Sequence, residues 1–306
     1  MSLPVTDIST EHITQALDRI DPAFLGTPQG VSDALSARFG RELVVKDETG
    51  TPIGSFKGRG TGLLADELDP ERTWVCATAG NFGQGLAYAA RARGAAVRAY
   101  VSADVPAGKQ AGMRELGAEV TVVEHPAAAA RAYVADRAES LLAVDGERPA
   151  MAEGAGTIGV ELDAAGPFDL AFVQMGDGAL ISGIASWLKS RQPGIRVIGI
   201  CASGAPAMAR SFAAGRVVTT HGTNTIATAL AISDPLPASL ARVRALVDDI
   251  LLVDDDDLRA AQRLIADELG VAVEPSGGAG IAALSRYGAE LPNGRTAVIL
   301  TGAAQP

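Results

Sequence analysis

Between residues 72 and 142, short apolar runs alternate with stretches whose apolar positions recur at helical spacing. Trp74-Val75-Cys76-Ala77, Val97 to Val101 and Val120 to Val123 read as buried strands. Residues 81–93, 107–116 and the alanine-rich 126–142 read as helices, the first two closed by Gly94 and Gly117. Apolar strands each followed closely by a helix predict right-handed βαβ units in a parallel sheet covered on both faces. The rhythm breaks in a turn-rich stretch, Val144 to Ala150, and a second alternation starts at Leu170. It runs through strands at 170–175, 196–201, 250–253 and 296–300, with helices over 179–190 and 254–269. Ahead of both, helices are expected over 12–20, 31–39 and 58–68, with a short strand at 43–45. The pattern predicts two α/β units: residues 1–68 plus 150–306 as a larger domain, and 69–149 as a smaller one inserted in it.

Composition narrows the function classes. A chain of 306 residues has room for a sizeable core. With 4% aromatics and a net charge of −10 it offers few stacking platforms and no attraction for a polyanion, so no nucleic-acid partner is expected. No basic-then-apolar leader opens the chain and no run of about 18 apolar residues occurs, so neither a signal peptide nor a membrane partner is expected. Cys76 and Cys201 lie in apolar runs and read as buried small hydrophobes, which fits a reducing, cytoplasmic setting. His12, His125 and His221 lack zinc spacing. Asp254 to Asp257 open a helix, where carboxylates complement the dipole; a metal site is the alternative, but calcium-loop spacing is missing.

The chemistry concentrates in loops. Gly50 to Thr61 sets Lys57 among glycine, proline and small polar residues. A partly desolvated lysine has a lowered pKa and becomes a nucleophilic amine; a surface turn is the plainer alternative. Gly154 to Gly159 matches G-x-G-x-x-G, yet no apolar strand precedes it and no acidic residue follows at a strand end, so it is not read as a dinucleotide fingerprint. Gly176-Asp177-Gly178-Ala179-Leu180-Ile181-Ser182-Gly183 follows a buried strand and opens a helix, as an anion cradle does. A carboxylate about 5 Å from a phosphate costs roughly 3 kcal/mol at an effective dielectric of about 20, so Asp177 must point away or the ligand group must differ. Thr78 to Gly85 also joins strand to helix and suits a carboxylate, or merely caps the helix.

Taken in order, Ser55-Phe56-Lys57-Gly58-Arg59-Gly60, Thr78-Ala79-Gly80-Asn81-Phe82-Gly83-Gln84-Gly85, Gly176 to Gly183, Glu274-Pro275-Ser276-Gly277-Gly278-Ala279 and Leu300-Thr301-Gly302 resemble the motifs of fold-type II pyridoxal-phosphate enzymes of the serine/threonine dehydratase branch. The resemblance spans residues 25–303. It implies an α/β fold of two domains, each with a largely parallel twisted sheet flanked by helices, pyridoxal 5'-phosphate in the cleft between them, and a homodimer. It implies Lys57 as the Schiff-base lysine, Phe56 lining the pocket, Asn81 on the phenolic oxygen of the cofactor, Gly176, Asp177, Gly178 and Ala179 around the phosphate, and Thr301 facing the pyridine nitrogen. Ser55, Thr78, Ala79, Gly80 and Asn81 would hold the carboxylate of a small amino acid. The implied reaction is β-elimination from a serine- or threonine-like substrate to a 2-oxo acid and ammonia. A β-replacement synthase of the cysteine or diaminopropionate synthase kind, and an inactive binder, are the alternatives. The chain departs from the pattern at Asp177, at Phe82 (usually histidine), at Thr228 in Ala227-Thr228-Ala229 (usually Ala-Asp-Gly), and at Ala79, where serine racemases carry a serine. Cys201-Ala202 replaces the acidic group of the family's cation site, so no metal is expected.

Overall fold

The computed structural model describes residues 6–305. Among these residues ten strands form: β1 (Gln29–Val31), β2 (Leu43–Asp47), β3 (Thr73–Ala77), β4 (Val97–Val101), β5 (Glu119–Val122), β6 (Ser140–Leu142), β7 (Leu170–Gln174), β8 (Arg196–Ala202), β9 (Asp249–Val253) and β10 (Thr296–Leu300). Twelve α-helices accompany them among the described residues. Six lie in the first half: α1 (Thr10–Ala16), α2 (Asp33–Phe39), α3 (Lys57–Leu64), α4 (Asn81–Arg93), α5 (Ala107–Glu115) and α6 (Pro126–Ala135). The others are α7 (Pro149–Ala164), α8 (Ala179–Arg191), α9 (Ala207–Ala214), α10 (Pro237–Leu246), α11 (Asp255–Leu269) and α12 (Ala279–Tyr287).

The strands make two sheets. The larger has the order β1-β2-β10-β7-β8-β9, and the smaller β5-β4-β3-β6. Every pairing is parallel except β1 with β2. Helices cover both faces, so β7 and β10 are buried at every position. This is why they read as continuous apolar runs rather than as alternating ones. The α/β class and the parallel sheets agree with the sequence pattern.

Several boundaries differ. The expected helix over 31–39 starts at Asp33, because Ser32 accepts the Leu35 amide as a cap and Val31 pairs with Val44 in the antiparallel β1–β2 edge. The expected helix over 12–20 is Thr10–Ala16, capped by Ser9. The 58–68 helix ends at Leu64 and tightens into a 3-10 turn. The run 126–142 is not one helix: α6 stops at Ala135 and Ser140–Leu142 adds β6 beside β3. Alanine favours helix locally, but the open edge of β3 takes the last three residues. Helices α7, α9, α10 and α12 were not expected. At the start of α11, Asp254 accepts the amides of Asp256 and Asp257 while Asp257 accepts that of Asp254, a reciprocal capping box.

The Gly154–Gly159 stretch lies inside α7, which packs against α3 and α8. A methyl on Gly154 would sit 2.5 Å from the Arg59 carbonyl oxygen, one on Gly156 2.6 Å from Ile13, and one on Gly183 would collide with the Ala152 carbonyl. These glycines let three helix backbones approach closely; they do not form a nucleotide loop.

Candidate active site

Backbone contacts place the lysine loop at the carboxyl ends of the large sheet. Ser55 bridges Gly302, just beyond β10, in antiparallel fashion. The Phe56 amide donates to the Thr301 carbonyl at 3.2 Å, and the Ala303 amide to the Gly54 carbonyl at 2.8 Å. Helix α3 is held from below by a buried ionic network. The Arg59 guanidinium donates to both oxygens of Glu48 (2.9 and 2.8 Å), to Glu161 (2.6 and 3.0 Å), to Thr157 (2.9 Å) and to Thr27 (3.0 Å). Lys46 from β2 pairs with the same Glu161. Removing one partner from such a cluster leaves an uncompensated charge, so the cluster fixes the relative positions of β2, α3 and α7. Lys57, the first residue of α3, is thereby fixed as well.

Two cavities meet at Lys57. One, of about 120 Å³, is lined by Phe56, Lys57, Asn81, Asp145, Gln174, the 176–178 loop and Thr301, among others. The second, of about 510 Å³, opens on the side of the small sheet and is lined by Lys57, residues 77–82, Ser102, Lys109, Asp145 and the 228–233 segment. Phe56, Lys57, Asn81, Gly176, Asp177, Gly178 and Thr301 thus converge, and Ala179 follows as the first residue of α8. Thr78, Ala79 and Gly80 sit with Asn81 on the second cavity. Ser55 lines neither; it is fully buried, with its hydroxyl unpartnered behind the bridge to Gly302.

Lys57 is not a free amine. Its Nζ donates to both oxygens of Asp145, at 2.7 and 2.6 Å, and lies 4.0 Å from Asp177. It also stands 5.2 Å from the Phe56 ring centroid. Burial pulls the amine down, but Asp145, then Asp177, and more weakly Glu274, outweigh it, so its pKa lies above the ordinary value. The lowered pKa expected from desolvation is therefore wrong for this state: the carboxylates overturn it, and the amine becomes nucleophilic only once this pairing is relieved. Burial raises the Asp145 carboxyl, the Lys57 ammonium opposes it and the Asp177 carboxylate adds to it, with the result at about 6. Asp145 comes from the turn read only as a break in rhythm. Nothing local marks it, because its partner is 88 residues away in sequence.

The 176–179 loop turns through Gly178, whose φ of +98° is a left-handed value that suits glycine. Asp177 does not point away. Its Oδ1 accepts the Ala179 amide at 2.8 Å, and its Oδ2 is buried without a partner. The amides of Leu180 and Ile181, in the first turn of α8, have no protein acceptor among the described residues. A carboxylate thus stands where an anion is cradled, which is a direct sign that the loop fits one. At the opposite end, Gln174 Nε2 donates to the carbonyls of Gly277 (3.0 Å) and Ile299 (2.9 Å) and to Thr301 Oγ1 (2.9 Å). That leaves the Thr301 hydroxyl proton free to donate. Gln174, a polar residue closing an otherwise apolar strand, was missed; that contrast was its one local signal.

Beside the second cavity, Thr78 Oγ1 accepts the amides of Gly80 and Gly83, both at 3.0 Å, and so satisfies one amide in the first turn of α4. The amides of Asn81 and Phe82 at the start of α4 have no protein acceptor among the described residues. Asn81 Nδ2 and Ser276 Oγ each donate to Glu274 Oε1 at 2.9 Å, and Lys109 pairs with the other Glu274 oxygen. Asn81 therefore spends one donor on protein while facing both cavities. Lys109, 3% exposed at its side chain, ties α5 beside the small sheet to the segment before α12. Both thiols are buried and free, and burial pushes each up to about 12. Within the described residues, no helix is long and apolar enough to cross a membrane.

Comparison with known proteins agrees with this geometry. Residues 20–302 match the family described as pyridoxal-phosphate dependent enzyme. A phenylserine dehydratase of Ralstonia pickettii is 34% identical, covering 81% of this chain and 78% of the dehydratase. A serine racemase of Oryza sativa subsp. indica is 33% identical over 89% of this chain and 82% of the racemase. The crystal structure of a threonine deaminase from T.th. superposes with a TM-score of 0.89 at 31% identity, covering 97% of this chain and 99% of that one. With a lysine, a hydroxyl and an anion cradle at the ends of parallel strands, and a family match over nearly the whole length, the chain belongs to the pyridoxal-phosphate dependent enzymes.

Proposed function

We propose that this protein is a lyase that removes a β-substituent from a small hydroxy amino acid, releasing a 2-oxo acid and ammonia. The observation that carries this reading is the asymmetry of the site. Lys57 is the amine that faces both cavities, a hydroxyl rather than a carboxylate stands at the Thr301 end, and Ala79 presents only a methyl on the substrate side. When bound, pyridoxal phosphate supplies an electron sink for the bond broken at the α-carbon.

The residues divide the remaining work. Lys57 would hold the cofactor covalently and then, displaced by the incoming amino group, carry the α-proton. Asp145, both oxygens on Lys57 Nζ, orients that amine and holds its charge until the pairing is relieved. Gly176 to Ala179 would hold the phosphate, with the free Leu180 and Ile181 amides behind them. Thr301, oriented by Gln174, would donate its hydroxyl to the ring nitrogen without protonating it, which favours prompt loss of the β-substituent over longer-lived carbanion chemistry. Asn81 would bond the phenolic oxygen, Phe56 would pack beside the cofactor, and the 78–81 segment would take the substrate carboxylate on its amides.

Racemases among the relatives make inversion the competing outcome. Ala79 offers a methyl where serine racemases carry a serine, so that second base is missing, and this favours elimination. The test is a panel of L-serine, L-threonine and 3-phenylserine with added pyridoxal phosphate, scoring 2-oxo acid, ammonia and the D-isomer. Ammonia and 2-oxo acid in equal amounts are expected, lost in Lys57→Ala. D-isomer without 2-oxo acid would replace this reading by racemisation, and a new adduct on adding a thiol would replace it by β-replacement.

A further inference from the structure

The Asp177 carboxylate occupies the place that the proposed function assigns to phosphate. One of its oxygens takes the Ala179 amide at 2.8 Å, while the other is buried, unpartnered and 4.0 Å from Lys57 Nζ. The side chain has little room to leave. A methyl on Gly146 would lie 2.5 Å from Asp177 Oδ2, so this glycine backbone forms the opposite wall. Asp145, one residue earlier, holds the same Lys57 Nζ with both oxygens, so the two carboxylates crowd one ammonium and repel each other. An entering phosphate, with about −1.5 to −2 charges at pH 7, therefore meets two carboxylates and a single ammonium.

We propose that Asp177 is a tethered competitor for the phosphate of the cofactor, and that filling the cradle is coupled to uptake of a proton by Asp145. The inference rests on the assignment of the 176–179 loop as the phosphate cradle. When the phosphate takes the Ala179 amide, Asp177 is pushed toward Asp145. Two carboxylates in contact in a buried site repel, unless one carries a proton and donates it to the other. Asp145 is the group placed to carry it, donating to the displaced Asp177.

The surrounding charges do not supply an alternative counterion. Lys57 comes from α3 and is consumed in holding the cofactor. Glu274, before α12, adds negative charge toward Lys57. Arg242 of α10 reaches the Gly146 carbonyl at 2.8 Å, but its charge is already paired with both oxygens of Asp7 at 2.7 and 2.6 Å. Cys76 of β3 is buried and stays a neutral thiol.

The experiment titrates the full chain, stripped of cofactor, with pyridoxal phosphate and separately with pyridoxal, from pH 5.5 to 8.5. Wild type, Asp177→Gly and Asp177→Asn are compared through visible absorbance and protein fluorescence. The phosphate's own ionisation affects all three proteins alike, and any change in the Lys57 amine on removing Asp177 acts equally on pyridoxal, so the informative quantity is the ratio of dissociation constants, wild type over variant, compared between the two ligands. For pyridoxal phosphate this ratio is expected to rise with pH from near one to at least about tenfold, the consequence of one linked proton, and for pyridoxal to stay near one. Asp177→Asn keeps the cap on Ala179 without the charge and is expected to show the same pH trend. A ratio that does not change with pH, or that is the same for pyridoxal, would overturn the proposal while leaving the proposed function intact. Binding of pyridoxal phosphate by no protein at any pH would overturn both.

Discussion

At the scale of single residues, the site is governed by where two carboxylates sit. Asp145 holds Lys57 charged, and burial, with Asp177 adding to it, keeps Asp145 protonated further up the pH scale than an exposed aspartate. The sign of the consequence follows from linkage. The Asp145 carboxyl has a higher pKa in the fold, about 6, than its ordinary 3.8. The folded state thus binds this proton more tightly; the favourable contribution is complete below about 3.8 and is lost as pH rises through about 6. Asp177→Asn relieves the repulsion and keeps the bond to the Ala179 amide. It is expected to raise the melting temperature of the cofactor-free protein at pH 8 by about 2 °C or more, the equivalent of roughly 1 kcal/mol, with little change at pH 4. Equal shifts at both pH values would show that Asp177 acts through packing and not through charge.

At the scale of elements, Lys57 is positioned by three helices whose backbones nearly touch. Helices α3, α7 and α8 meet through Gly60, Gly154, Gly156 and Gly183, and a methyl on Gly60 would lie 2.7 Å from the Met151 carbonyl. Gly154→Ala would add a methyl 2.5 Å from the Arg59 carbonyl, with backbone rather than a flexible side chain in the way. Overpacking of this kind costs about 1–3 kcal/mol, and the α3 shift it forces would move Lys57 too. A lowered midpoint in urea together with weaker cofactor loading is the expected outcome. An effect on dinucleotide binding instead would revive the reading of this stretch as a nucleotide loop. The motif could be dismissed from sequence because its context lacked a strand. Its packing role was not visible, because the partner glycine, Gly183, belongs to another motif.

At the scale of the molecule, the two sheets are joined across the cavities by buried charge. Lys109 beside the small sheet and Asn81 at the start of α4 both meet Glu274 from the large sheet's side. Breaking one side of a buried pair costs more than removing both. Lys109→Met and Glu274→Gln are each expected to destabilise by about 3 kcal/mol, and the double variant by clearly less than their sum. Thermal melts of all four proteins measure this directly; strict additivity would mean that the two side chains do not act as a pair. We propose that this contact lies between the two folding units drawn from the sequence, so the singles should also weaken substrate binding more than they weaken folding of either sheet.

What the amino-acid order determined alone was local: apolar runs that must be strands, glycine-bearing turns at their ends, and the succession of five loops that resembles one family. Such features are legible because a strand, a cap or a turn depends on neighbours a few residues away. Tertiary structure decided the state of the chemistry. Asp145 lies 88 residues from Lys57, Glu274 lies 165 from Lys109, and Gln174 lies 127 from Thr301. Charge state, burial and counterion are set by groups that meet only when the chain closes, and no spacing rule encodes them. The lysine loop was therefore readable as a candidate site from its sequence, whereas the position of Asp177 beside it was not.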